Sequence, residues 1–354
     1  MSDAGPMQTD VAIVGGGLSG LALADMLHRA GVGFELFEAR GRFGGRIDTL
    51  RHGAGGVDLG PSWFWPGQAR MARLIEDLDQ RAFAQYATGD LCFEDQRGEV
   101  QRGVGFASME GALRVAGGLS ALIDGLVARL PRAQLHESHP VSRIERGALV
   151  LENGSTCTAR HTVVTVPPRL AANLVYDPPL PGPALQSLRQ IPTWMAGHAK
   201  FVAVYDRPFW RAAGLSGDAT SRRGPMVEIH DASGPEGTPA ALFGFLGIPA
   251  AQRNGQAAQI EAAAIDQLGR LFGTDALHPR ATAFKDWAQD PATATAQDHT
   301  PPHGHPAYGP LAMLDGLREG HLHFASTETA PDMGGLMEGA LAGAERVAAR
   351  ILAA

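Results

Sequence analysis

The chain has 354 residues, 44% hydrophobic and 19% charged, with a formal net charge of -7. That is enough chain for two packed units, and it leaves no basic footprint of the kind a phosphate backbone needs, which argues against nucleic acid as a partner. Cys92 and Cys157 are the only cysteines, Met1 to Asp10 show no cationic segment leading into an apolar run, and no stretch of about 18 apolar residues occurs. These features predict a cytoplasmic protein without a membrane span.

Asp10 to Val14 is a short apolar run. Leu21, Ala24 and Leu27 then recur at helical spacing, and Gly31 closes that helix before the strand Phe34 to Phe37, so residues 10 to 38 predict a parallel strand, helix, strand crossover. Met71, Leu74, Ile75 and Leu78 mark a second amphipathic helix, and Leu119, Leu122, Ile123, Leu126 and Leu130 a third. Asn153-Gly154 between Ala148–Leu151 and Ser155–Thr158 predicts a hairpin, with a further strand from His161 to Val166. The proline-rich stretch Pro167 to Pro192 reads as a crossing linker. Beyond it, Lys200 to Tyr205, Met226 to His230 and Ala241 to Leu246 read as strands of a platform, Ile260 to Phe272 as a helix laid on it, 288 to 310 as a long loop, and Leu336 to Leu352 as a closing helix.

The chemistry starts at the first crossover. Gly15, Gly17 and Gly20 give G-x-G-x-x-G between strand and helix, which allows a tight turn, close backbone approach to a pyrophosphate and helix amides aimed at negative charge. Glu38 ends the second strand about 20 residues on, where a carboxylate can accept from both ribose hydroxyls. Arg40, Arg42 and Arg46 then bracket the doublet Gly44-Gly45, which adds guanidinium donors suited to phosphate.

Together with Asp58 to Trp63, Gly117-Gly118, Val163 to Pro168, Lys200 before Pro208-Phe-Trp210, Trp287, Ser326 to Thr329 and Gly335 to Gly339, these motifs resemble the flavin monoamine oxidase family, which includes polyamine and L-amino-acid oxidases. The resemblance implies an α/β fold: a glutathione-reductase-like FAD-binding domain with a Rossmann-type βαβ unit, and an inserted α+β substrate domain on a strand platform. The expected division is 1–72, 106–192 and 303–354 for the FAD domain, with 73–105 and 193–302 for the substrate domain. FAD is implied to be held by Gly15, Gly17, Ser19, Gly20, Glu38, Ala39, Arg40, Gly45 and Arg46. Gly60, Pro61, Ser62 and Trp63 are implied to pass near the isoalloxazine, and Val141 to hold the adenine through its backbone. Glu328 is implied to face the ribityl and phosphate region. Gly335, Leu336 and Met337 would aim a helix N-terminus at the flavin, where reduction places negative charge. Lys200 corresponds to the family lysine that holds a water against flavin N5, and is expected to be catalytic.

The chain also departs from the family. Many relatives attach FAD to a cysteine in the loop after the tryptophan matching Trp287; Ala288 to Pro302 contains none, so non-covalent FAD is expected. The two tyrosines of the amine cage are missing, their places falling at Leu336 and near Ala296 or Gln297. Trp63, Trp65 and Trp194 are the nearest aromatic replacements, with core packing as the alternative. The segment between Leu78 and Gly117 is too short for the family's helical substrate subdomain. Met226, Glu228 and His230 share one strand face by period two; by resemblance that strand lines the substrate cavity, making it polar, with Phe245 as an apolar wall, although an exposed sheet edge explains them equally. His303, His305, His321 and His323 lack a carboxylate or cysteine set at ligand spacing, so no metal is expected.

The expected activity is oxidation of a small amine to an imine by hydride transfer to FAD, with molecular oxygen as acceptor. The alternatives are a flavin-dependent desaturase, dehydrogenase or NAD(P)H-linked oxidoreductase, and a non-catalytic flavin-binding module.

Overall fold

Val11 to Val14 are all buried, because the strand they end, Met7–Val14, is covered on both faces. A strand enclosed in this way carries an unbroken apolar run. The computed structural model describes residues 7–354, so the expectation about the first residues lies outside the described residues for Met1 to Pro6. Helix Leu18–Arg29 buries Leu21, Ala24 and Leu27 and returns the chain to Phe34–Phe37, which pairs parallel with the first strand, Val11 opposite Phe34 and Val14 opposite Phe37.

The rest of this eight-stranded sheet comes from far along the chain. Thr156–Val164 lies parallel on the other side of the first strand; Ala148–Leu151, Val141–Glu145 and Val175–Asp177 extend that edge, and Leu135–His136 extends the opposite one. Leu322–Phe324 pairs with Thr162 to Val164. The closing helix, Met337–Leu352, packs on helix Leu18–Arg29 in the largest core cluster.

Two expectations are corrected in this sheet. Thr156–Val164 is one continuous strand, paired at its start with the hairpin partner and along its length with the first strand. No turn-forming residue stands between Thr158 and His161, so nothing interrupts it. The stretch Pro167 to Pro192 is no linker: it holds helices Pro168–Ala171 and Gly182–Gln190 and the edge strand Val175–Asp177. Its prolines open helices, where the missing N–H would have had no intrahelical partner.

A second sheet of seven strands runs Ala281–Asp286, Ala199–Tyr205, Ala240–Leu246, Met226–Asp231, Leu215–Ser221, Asp90–Glu94 and Val100–Arg102. The short segment after Leu78 therefore supplies two strands of this sheet. Side chains alternate across it. Phe201, Ala203, Tyr205, Leu242 and Leu246 pack on helix Ala257–Phe272, whereas Val202, Val204, Ala241 and Phe243 face Val57 and Trp63. Lys200 shares the second face.

The period-two reading of Met226, Glu228 and His230 fails at its first residue. The pairing shifts between Met226 and Glu228, so Met226 joins Ile229 on the helix-covered face while Glu228 and His230 turn to the other. A bulge of this kind inserts one residue and reverses the alternation beyond it. Among the described residues no helix is long and apolar enough to cross a membrane, and no group of three or more His, Cys, Asp or Glu is placed to hold a metal ion.

Candidate active site

The C-terminal ends of Met7–Val14 and Thr156–Val164 open onto a cavity, as parallel α/β sheets provide. Gly15 makes the turn with φ +110, and Gly20 lies so close under it that a Cβ there would stand 2.0 Å from the Gly15 carbonyl oxygen. Both glycines are thus required by geometry. Helix Leu18–Arg29 begins at Gly17 with no side-chain cap and no acidic residue in its first turn, so its first amides are left to whatever fills the cavity. Gly44 donates its N–H to the Gly16 carbonyl and forms a bridge with Gly17, bringing the glycine doublet against the turn.

Glu38 is buried, and its carboxylate accepts from the backbone N–H of Gly16 at 2.8 Å and of Arg40 at 2.9 Å. A carboxylate has about four acceptor positions, so capacity remains for two hydroxyls. Around it, Ala39, Arg40, Pro140 and Val141 line a chamber of about 670 Å³. Gly15, Glu38 and Arg40 also line a second chamber, of about 250 Å³, which continues past Arg46 to Gly60, Pro61, Ser62 and Trp63. The closing helix starts at the far end of this second chamber, again with no side-chain cap at Leu336. One long slot with an uncapped helix N-terminus at its middle and another at its end, and a carboxylate toward one extremity, fits an elongated dinucleotide with a phosphate bridge.

The arginines differ from expectation. Arg42 does not line the slot; its guanidinium donates to the carbonyls of Phe43, Gly45 and Ile47 and to Asp48. Arg40 borders the slot but is held by Asp290 and Thr293, each at 2.6 Å. Glu328 is fully buried behind Arg46 and grips its guanidinium at 2.7 and 3.3 Å, so it meets the slot only through Arg46. These residues fix the loop's shape through hydrogen bonds to protein partners. Gly20 and Ser19 also act on the backbone: Ser19 lines the slot while its hydroxyl donates to the Ala325 carbonyl.

At the other end stands Lys200, brought in by the second sheet. It is 2% exposed, and its Nζ donates to the carbonyls of Asp58 at 3.1 Å and Gly60 at 2.7 Å and to Ser62 Oγ at 2.8 Å. Gly60 is positioned by close packing: a Cβ there would lie 1.9 Å from the Arg46 carbonyl oxygen. Phe243 and Phe245 cover the ammonium, their ring centroids 4.0 and 5.4 Å from Nζ. Burial pushes Lys200 down to about 7, against the pull of Asp58 and with the push of Arg114.

Aromatic walls complete this end. Trp63, Trp65, Trp194 and Phe245 line it together with Leu336 and Met337, and neither Ala296 nor Gln297 does. Trp63 is fixed by a 2.8 Å bond from Nε1 to Gln85 Oε1, and Trp194 packs edge-on against His305. Glu228 and His230 are corrected here, since neither lines the slot. His230 lies behind Trp63, ring to ring at 5.0 Å, held between Asp218 at 2.8 Å and Glu228 at 3.0 Å. Burial opposes its charge, yet hydrogen bonds to those two carboxylates keep His230 above its ordinary value. Glu228 turns outward to Ser108. The bulge turns both residues off the helix-covered face, and the Trp63 ring then stands between His230 and the slot.

Residues 86–352 match the family described as flavin containing amine oxidoreductase, and residues 13–78 match a NAD(P)-binding Rossmann-like domain. The chain is 25% identical over 449 aligned positions to the "Probable flavin-containing monoamine oxidase A" of Dictyostelium discoideum, covering 97% of each protein. That alignment is longer than the 354 residues here, so internal segments of the relative have no counterpart. Among solved structures, putrescine oxidase bound to putrescine superposes with TM-score 0.81 at 21% identity, over 99% of this chain and 100% of that one. Cyclohexylamine oxidase from Brevibacterium oxydans superposes with TM-score 0.80 at 21% identity, over 97% and 98%.

Proposed function

The chain belongs to the flavin containing amine oxidoreductase family and is an FAD-dependent amine oxidase, and on that premise we propose that it oxidises small apolar monoamines, with molecular oxygen as acceptor. The observation that carries the substrate class is the lining beside Lys200: four tryptophans, Trp63, Trp65, Trp194 and Trp287, and Phe245, with Glu38 the only acidic residue on that chamber among the described residues and placed at its nucleotide end. A diamine would bring a second cation that finds no carboxylate there, and an unpaired buried charge is costly. Of the two amines named by the solved neighbours, cyclohexylamine suits this wall better than putrescine.

FAD, which the slot would hold, would supply the acceptor for a hydride from the carbon next to the amine nitrogen, with oxygen as the final acceptor of the electron pair. The chain's residues do the rest. Gly15 and Gly17 would admit the pyrophosphate to the backbone, Glu38 would accept from the ribose, and Val141 would border the adenine. Arg46, set by Glu328, and the uncapped N-terminus at Gly335 to Met337 would present positive charge to the negative charge of the reduced cofactor. Trp63, Trp194 and Phe245 exclude water and orient the amine, and Lys200 carries a proton beside the reacting atoms. Neither cysteine lines the slot: Cys92 and Cys157 are both buried elsewhere, in keeping with releasable FAD and with a cytoplasmic setting.

Anaerobic mixing of the yellow protein with benzylamine, cyclohexylamine and putrescine, followed by flavin bleaching, tests the proposal. The two monoamines are expected to reduce the flavin faster; faster reduction by putrescine would overturn the substrate class, and no reduction by any amine the activity.

A further inference from the structure

Lys200 has three N–H donors as an ammonium, and three protein acceptors take all of them. Two of the acceptors, the carbonyls of Asp58 and Gly60, can never give a proton back. The third, Ser62 Oγ, is a hydroxyl, which both accepts and donates. Ser62 is 3% exposed and lines the slot, and among the described residues its hydroxyl has no other hydrogen-bond partner, so its own proton is unclaimed. Gly60 and Ser62 both line the slot, as Lys200 does, and of the three partners only the Ser62 hydroxyl can both accept and donate a proton.

Resting on the amine-oxidising reading of this site, we propose that Ser62 is a proton relay that neutralises the incoming amine by passing its proton to Lys200. The substrate ammonium gives one proton to Ser62 Oγ as the existing Ser62 O–H proton moves to Nζ of neutral Lys200. One N–H bond and one O–H bond break, one of each forms, and no electrons change hands; the products are a free amine, which holds the lone pair that oxidation requires, and a Lys200 ammonium bound to its three acceptors. The proton returns by the same route to water when the cavity empties.

The surroundings suit an acceptor at this position. Burial brings Lys200 down to about 7, which favours the neutral amine that a proton acceptor requires. The charged groups facing it are Asp58, whose attraction favours the ammonium, and Arg114, which opposes it. Lys285, opposite on the neighbouring strand, is occupied by Asp290 and the Trp287 ring. His198 lies two residues before Lys200, with burial lowering its pKa, and His230 is held with Asp218 and Glu228 behind Trp63.

Ser62→Ala and Ser62→Thr in the FAD-bound protein test the relay. With benzylamine under anaerobic conditions, Ser62→Ala is expected to slow flavin reduction about tenfold below the amine's own pKa and by less than about twofold above it, where the amine enters neutral; Ser62→Thr, which keeps the hydroxyl, should stay within about twofold throughout. An equal loss at every pH, or none, overturns the relay. The chain's only lysines are Lys200 and Lys285, so lysine labelled with carbon-13 at Cε gives two signals in the resting protein. The Lys200 midpoint should fall by about one pH unit in Ser62→Ala, because the ammonium loses a charge-assisted acceptor, and return in Ser62→Thr. An unmoved midpoint also overturns the proposal. If no amine reduces the unaltered protein, the functional reading fails, and an unmoved Lys200 midpoint in Ser62→Ala separately overturns the proton link between Ser62 and Lys200.

Discussion

The slot has two ends built in different ways. The nucleotide end is organised around one local stretch, Gly15 to Arg46, whose turn, helix start and strand end are joined by short contacts such as Glu38 to the Gly16 N–H. The reacting end is assembled from residues that are neighbours only after folding: Ser62, Trp194, Lys200, Phe245 and Leu336. The first end is geometric, with Gly15 and Gly20 tolerating no added atom. The second is chemical, with one depressed lysine, one unclaimed hydroxyl and an aromatic wall, and its side chains can be exchanged without touching the backbone that holds them.

If that contrast is sound, a single methyl group at the nucleotide end should do more harm than removal of a whole side chain at the reacting end. Gly20→Ala, whose Cβ would stand 2.0 Å from the Gly15 oxygen, should yield protein without FAD and with a core strained by about 1–3 kcal/mol. Absorbance of the purified variant and its melting curve read both effects, and a fully yellow Gly20→Ala would break the comparison.

Lys200→Met should keep FAD bound yet slow flavin reduction or its reoxidation by about tenfold to a hundredfold, the lower range for losing a positioned proton carrier. In the unaltered protein, reduction should quicken as pH rises through about 7, because Lys200 is charged below that point and neutral above it. Stopped-flow rates for both half-reactions across pH check this; unchanged rates with full occupancy would make Lys200 structural.

Glu38→Ala leaves two backbone N–H groups without acceptors besides removing the ribose partner, and FAD affinity should drop by about 2 kcal/mol, about thirtyfold. Titration of the apoprotein with FAD gives the number directly. The smallest effect is expected at Glu228→Gln: with Glu228 outside the slot, the ratio of benzylamine to putrescine rates should move by less than about twofold. A larger change would bring Glu228 into the substrate's surroundings and blur the boundary of the reacting end.

The unequal legibility of the sequence follows the same division. Gly15, Gly17, Gly20 and Glu38 could be placed because strand, turn and helix fix their separation within one crossover. Arg42 could not: nothing in the spacing tells a phosphate-binding guanidinium from one that closes its own loop on Ile47 and Asp48. For Glu228 and His230 the strand period gives a shared face and the resemblance a place at the cavity, with an exposed edge equally open; the bulge separates them from Met226, and the Trp63 ring against His230 comes from a distant segment that the period does not show. Arg114, whose guanidinium disfavours charge on Lys200 and which donates to Ala232 and Ser233 carbonyls, carries no signal in its neighbourhood.

By itself, then, the sequence determined the parallel crossover, the dinucleotide turn with its carboxylate, the major helices and the lack of a cysteine near Trp287, because each depends on residues within a few turns of one another. Tertiary structure alone decided that Lys200 spends all three donors on Asp58, Gly60 and Ser62, that burial lowers its proton affinity, and that tryptophans rather than Glu228 line the chamber beside it. Those properties come from the distance between two sheets and from the exclusion of water between them, and neither quantity is set by the order of residues along one strand.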